Sequence, residues 1–153
     1  MKNRPITLKK EIERIIAKAE VCTLSMVDTD GKPYAVPMNF GYHQGVFYLH
    51  SAPAGKKIEL LKNNPVVHIS LSTDHELRWQ SEKVACSYSM RYRSVFAFGK
   101  AEFLEDSSEK IEALNHIMHH YTDRSFTYNQ PAVNGVCVFR VKAEKLEARA
   151  YGY

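Results

Sequence analysis

The chain has 153 residues, 44% of them apolar and 25% charged, with a formal net charge of +4. This is an ordinary balance for a single globular domain over 1–153, long enough to bury a core without staples. It excludes a membrane-spanning helix, which needs an apolar run of about 18 residues or more. Its lysines and arginines are also too dispersed for the concentrated positive face of a nucleic-acid binder.

Met1-Lys2-Asn3-Arg4-Pro5 is basic with no apolar stretch behind it, so it does not read as a secretory signal, and a cytoplasmic location is expected. Thr7 is the expected N-cap of a helix over 7–20, with Leu8, Ile12, Ile15, Ile16 and Ala19 as its apolar stripe. From Val21 the period changes to two. A strand over 21–27, a tight turn at Asp28-Thr29-Asp30-Gly31 and a returning strand over 33–42 are predicted. His43-Gln44-Gly45 turns the chain into a strand over 46–50, completing an antiparallel three-strand meander. A helix over 56–63 stops at Asn63-Asn64-Pro65, and a strand over 66–71 follows. Residues 72–82 read as polar and irregular and hold the single tryptophan, Trp79. A long strand is expected over 91–104. Asp106-Ser107-Ser108-Glu109 then resembles a capping box, opening a helix to 121 with Ile111, Leu114, Met118 and Tyr121 on its inner face. Strands over 135–141 and 146–149 close the chain. The fold class expected is mainly β with peripheral helices: an antiparallel barrel of six to seven strands over 21–149.

Most chemical motifs are missing. Cys22, Cys86 and Cys137 are odd in number and form no C-x-x-C pair, which suits reduced thiols. No G-x-G-x-x-G is present, and Gly55-Lys56-Lys57 is no P-loop, because His50 stands where the first glycine belongs and Ile58 follows the lysines. His116 and His120 share H-x-x-x-H spacing, but no third ligand accompanies them, so a solvated face is expected and no metal. No paired carboxylates or G-x-S-x-G elbow support hydrolysis. One stretch remains: His50-Ser51-Ala52-Pro53-Ala54-Gly55-Lys56-Lys57. Small residues precede two lysines at a helix start, where unpaired N–H groups already carry positive partial charge. Either the lysines are exposed with their stems on apolar neighbours, or they wait for an anion such as a phosphate.

The order strand–turn–strand–small residues–Lys56-Lys57–helix–Asn63-Asn64-Pro65–strand is followed by Tyr92-Arg93-Ser94-Val95-Phe96-Ala97-Phe98-Gly99-Lys100-Ala101. Together they resemble the pyridoxamine-phosphate-oxidase-like FMN-binding split barrels, most of all their nitroimidazole-resistance branch. The resemblance spans 21–121. It implies a homodimer with FMN at the subunit interface, NADH or NADPH as electron donor and a flat small-molecule acceptor such as a nitroaromatic. It places Lys56 and Lys57 on the FMN phosphate with His50 and Ser51 beside them. It lays the backbone of Val36, Pro37, Met38 and Asn39 along the isoalloxazine, brings Ser94 from the second subunit, and makes His50 the candidate catalytic group. Each position also has a structural reading: Pro37 as an edge-strand proline, Ser94 as a solvent-facing strand residue, His50 as a strand-end histidine. True pyridoxamine phosphate oxidases end in a tryptophan- and arginine-bearing segment, whereas this chain ends Leu146-Glu147-Ala148-Arg149-Ala150-Tyr151-Gly152-Tyr153, so vitamin B6 oxidation is not expected. Alternatives are an FMN-binding redox sensor without a substrate, a haem-handling barrel, and a barrel that binds nucleic acid through surface aromatics.

Overall fold

A computed structural model describes residues 2–153. Its elements are β1 (Asn3–Ile6), α1 (Lys9–Lys18), β2 (Cys22–Val27), β3 (Pro33–Met38), β4 (Gly41–His43), β5 (Val46–Ser51), α2 (Lys56–Asn63), β6 (Val66–Arg78), β7 (Ser89–Leu104), α3 (Ser107–Tyr121), α4 (Gln130–Asn134) and β8 (Cys137–Tyr151). Every strand pairing is antiparallel, in the order β3-β2-β6-β7-β8-β5-β4, with β1 on the outer end of β8. The end strands β3 and β4 share no ladder, yet only Asn39 and Phe40 separate them in the chain. Three virtual bonds reach at most about 11 Å, so the seven-strand path through this eight-stranded sheet must curl until its edges almost meet. The result is a barrel left open along one seam.

Alternation drives the curl. In β2, Cys22, Leu24 and Met26 are buried while the residues between them are not, and β7 buries Val95, Ala97 and Ala101 on the same inner side. Phe40, Phe47, Leu49, Ile69, Phe139 and Val141 fill the interior with no measurable exposure. Ile12, Ile15 and Ile16 of α1 plug one end of this core. Cys22 is buried at 1% exposure and packs as a small hydrophobe, and desolvation pushes its thiol up to about 12. Among the described residues no helix is long and apolar enough to cross a membrane.

Several sequence expectations change. The strand expected over 33–42 breaks at Asn39-Phe40, because its first half pairs with β2 and its second with β5 at the opposite sheet edge, so there is no simple meander. Leu8, not Thr7, occupies the N-cap of α1, and no side chain caps it. Residues 72–78 are not irregular: β6 runs on to Arg78 across a bulge at Asp74, whose φ of 56° is one that aspartate tolerates. Its carboxylate holds Lys18 (2.9 Å) and Arg93 (2.7 Å), interactions that keep it well below the usual range, with the Lys18 bond the larger cause. The two closing strands are one, β8, bent where its register with β7 shifts at Gly99. β1 and α4, both too short to carry a period, escape sequence reading.

The inner face of α3 also differs from expectation. Asp106 caps it through bonds from the Ser108 and Glu109 N–H groups (2.9 and 3.1 Å), the N-cap half of the capping box. The buried stripe, however, is Ala113 and Ile117 with His116 and His120 beside them. Gly41 explains the choice: a Cβ there would lie 2.5 Å from the backbone of His116 and Ile117, so helix and strand meet backbone to backbone. His116 stacks on both His43 and Tyr48 at 4.7 Å, and His120 packs at a tilt on Phe40 with ring centroids 4.3 Å apart and bonds to the Ala19 carbonyl at 2.6 Å. The solvated histidine face is therefore overturned, and the described residues contain no metal-type cluster.

Candidate functional site

The strand ends gather at one cleft. The β3 end supplies Pro37 and Met38, the seam supplies Asn39, the β5 end supplies His50 and Ser51, and the start of α2 supplies Lys57. Ala52, Gly135 and Val136 complete a cavity of about 480 Å³, within the range of cofactor sites, roughly 300–1,000 Å³. β5 and β8 hold one wall in register, with His50 opposite Val138 and Ser51 opposite Cys137.

The start of α2 is unusual. Gly55 is its N-cap at φ 122°, a conformation that suits glycine, and no side chain caps the exposed N–H groups. Ser51, four residues before Gly55, donates its hydroxyl to the Ala52 carbonyl at 2.8 Å. Lys57 lines the cleft, while the Lys56 ammonium rests 4.4 Å over the Tyr34 ring on the flank of β3. The basic pair is thus split: one charge enters the cleft and one is held at its side. His50 remains open to solvent, yet surrounding protein desolvates it, and with the Lys57 charge this holds its imidazole below the ordinary histidine value. It is neutral at pH 7, able to donate one hydrogen bond and accept another. Cations beside uncapped N–H groups make a cleft suited to an anion.

A family profile for pyridoxamine 5'-phosphate oxidase matches residues 9–150. The chain belongs to this family. Among solved structures, a candidate 5-nitroimidazole antibiotic resistance protein from Bacteroides thetaiotaomicron is 45% identical, with a TM-score of 0.88 over 97% of this chain and 87% of that one. The FAD- and haem-binding protein of Mycobacterium smegmatis shares the fold at 17% identity and TM-score 0.83, over 97% and 74% of the two chains. An FAD-binding protein from Mesorhizobium loti does so at 24% and 0.69, over 99% and 100%. No curated protein matches the chain. The split-barrel fold expected from the sequence is the fold observed.

Within this family member, six of the residues singled out by sequence meet at one cleft: Pro37, Met38, Asn39, His50, Ser51 and Lys57. Val36 instead packs on the core and Lys56 sits alongside. Ser94 is elsewhere: nearly buried in β7 at 5% exposure, it lines a second groove with Thr23, Ser70, Ser72, Tyr92 and Phe96. One chain's fold does not bring it to His50. Sequence reading missed Gly135 and Val136, which reach the cleft only through the β5–β8 pairing, a long-range contact without a local signal.

Proposed function

We propose that the protein is an FMN-dependent oxidoreductase that takes electrons from NADH or NADPH and passes them to a flat acceptor of the nitroaromatic type. The observation that carries this reading is Lys57 beside the uncapped start of α2, at the floor of a cleft walled by an edge strand. The flavin, when bound, accepts and transfers the hydride. The chain's own residues hold and orient it: the N–H groups of α2, Lys57 and Ser51 take the phosphate, and Lys56 adds charge from the flank. The backbone of Val36–Asn39 would supply a wall for the ring. His50, which lines the cleft and is held below the ordinary histidine value, is the residue we assign to hydrogen-bond the ring or an acceptor and to relay a proton. The 45% identical relative supports the nitro-compound class.

The reading includes a homodimer. On the outer face of β6 and β7, Met90 and Tyr92 line the Ser94 groove and stay exposed, and Phe98 (44% exposed) is uncovered further along β7. A second copy laid on this face removes that apolar surface from water and delivers its own Ser94 toward the cofactor that the first chain holds by its phosphate and along one side of its ring. Free thiols support a cytoplasmic setting.

The test is an absorbance spectrum of the protein as purified and after addition of FMN, followed by NADH and NADPH turnover with a nitroaromatic. Flavin bands that bleach with donor and return with acceptor support the reading. Absence of FMN binding overturns it, a bound flavin that no donor reduces leaves the redox-sensor reading, and a Soret band with haemin favours haem.

A further inference from the structure

At the opposite end of β8 from the His50 cleft lies a larger cavity, about 550 Å³, that shares no residue with it. β2 pairs with β6 only as far as Ser70, and β8 pairs with β7 only as far as Tyr92, so from Glu76 and Arg91 onward β6 and β7 continue as a two-strand ribbon. The ribbon ends in the connection over 79–88, and Arg78, Trp79, Tyr88 and Arg91, with Tyr151 at the end of β8 and Gly152 just after it, surround the cavity.

Its walls are of two kinds. Trp79 and Tyr88 lie nearly parallel, 15° apart with centroids at 5.6 Å, and still leave 49% and 38% of their surfaces to solvent. Exposed stacked rings of this size have no packing role that the core needs, and they form a platform for another flat ring. The platform is already ordered. Ser87 Oγ donates to the Ser81 carbonyl (2.8 Å) and accepts from its N–H (3.2 Å), and the Tyr88 hydroxyl donates to the Glu82 carbonyl (3.2 Å). The second wall is cationic. Arg78 and Arg91 share the one carboxylate of Glu76, at 2.7 and 3.3 Å, which leaves an excess positive charge. The Arg91 Nε is buried and makes no hydrogen bond, since the 3.3 Å approach to Glu76 lacks the geometry for one. Guanidinium groups suit planar, bidentate anions such as carboxylate and phosphate.

We propose that this cavity binds a flat aromatic ring bearing an anionic group, with the ring on the Trp79–Tyr88 platform and the anion at Arg78 and Arg91. Two sources share that chemistry: the adenosine-phosphate end of a nicotinamide dinucleotide, and an aromatic carboxylate acceptor.

The experiment is calorimetric titration of the protein, with and without FMN, using two matched pairs: 5'-AMP against adenosine, and 2-naphthoate against 2-naphthamide. Protection of the cavity-lining Cys86 from alkylation reports where binding occurs. The anionic member of one pair should bind at least about tenfold more tightly than its neutral counterpart and protect Cys86. A response to AMP identifies the nucleotide source, and a response to naphthoate the aromatic acid. Arg78→Gln, at a half-exposed side chain that the fold does not need, should weaken the anion about tenfold, and Trp79→Ala should weaken both members of the pair. If neither anion binds, if neutral and charged members bind alike, or if Cys86 stays unprotected, the proposal is overturned. Because flavin-free protein is titrated as well, a failure here stays distinct from a failure to hold FMN.

Discussion

At the scale of single residues, the two lysines that read alike in sequence part company in space. Lys57 faces the cleft and Lys56 rests on Tyr34, so their losses should differ. Lys57→Ala should weaken FMN by tens of fold, the cost of one charge-assisted bond of about 1.5–3 kcal/mol, and Lys56→Ala by a few fold. Equal losses in flavin titrations would put the phosphate elsewhere. The histidines make a pH prediction. Burial with Lys57 lowers His50, and burial with His43 and His119 lowers His116 against the opposing pull of Glu112. With folded values below the ordinary 6.5, the unfolded chain binds more protons as pH falls through that region. Stability is therefore complete above about 6.5 and declines below it, before Asp74 and Glu102, both lowered by basic partners, begin to titrate. The Tm at pH 5.5 should lie below that at 7.5. A flat profile would contradict the placement of both rings.

At the scale of elements, α3 is the clasp that holds the seam. The Tyr121 hydroxyl donates to the Glu20 carbonyl at 2.8 Å and accepts from the Phe40 N–H at 3.1 Å. Tyr121→Phe leaves that N–H unpaired in the interior beside Phe40, itself wholly buried. A loss of about 1–3 kcal/mol in chemical denaturation follows. Cleft ligands should weaken as well, since Asn39 is the next residue. Gly41→Ala should cost about 1–3 kcal/mol or more, because its Cβ meets helix backbone that has no room to yield. A variant as stable as the parent would refute the backbone-to-backbone contact. The same helix shows what sequence can and cannot convey. Its cap was legible because Asp106 acts on N–H groups two and three residues away. Its inner face was not, because a glycine 70 or more residues earlier selected Ala113 and two histidines packed on aromatic rings over the more apolar stripe.

At the scale of the whole molecule, local signals gave most strands and the barrel class. The seam at Asn39-Phe40 was hidden because one apolar run serves two sheet edges. The cleft was legible wherever its residues lie at strand ends before a helix start, as His50, Ser51 and Lys57 do, and hidden where β8 supplies Gly135 and Val136 across the sheet. Ser94 belongs to a different groove in one chain, which is why the proposed dimer matters. Phe98→Glu should convert a dimer to a monomer in sedimentation and weaken FMN with it, whereas an unchanged dimer would assign this face to solvent.

The central claim is that the start of α2 holds a flavin phosphate. Its most direct measurement compares FMN with riboflavin, which lacks the phosphate, on the parent chain and on Lys57→Ala. The account predicts that the parent prefers FMN strongly and that the variant loses most of this preference while its riboflavin affinity hardly changes. Equal weakening of both ligands, or a parent chain that does not distinguish them, would contradict it.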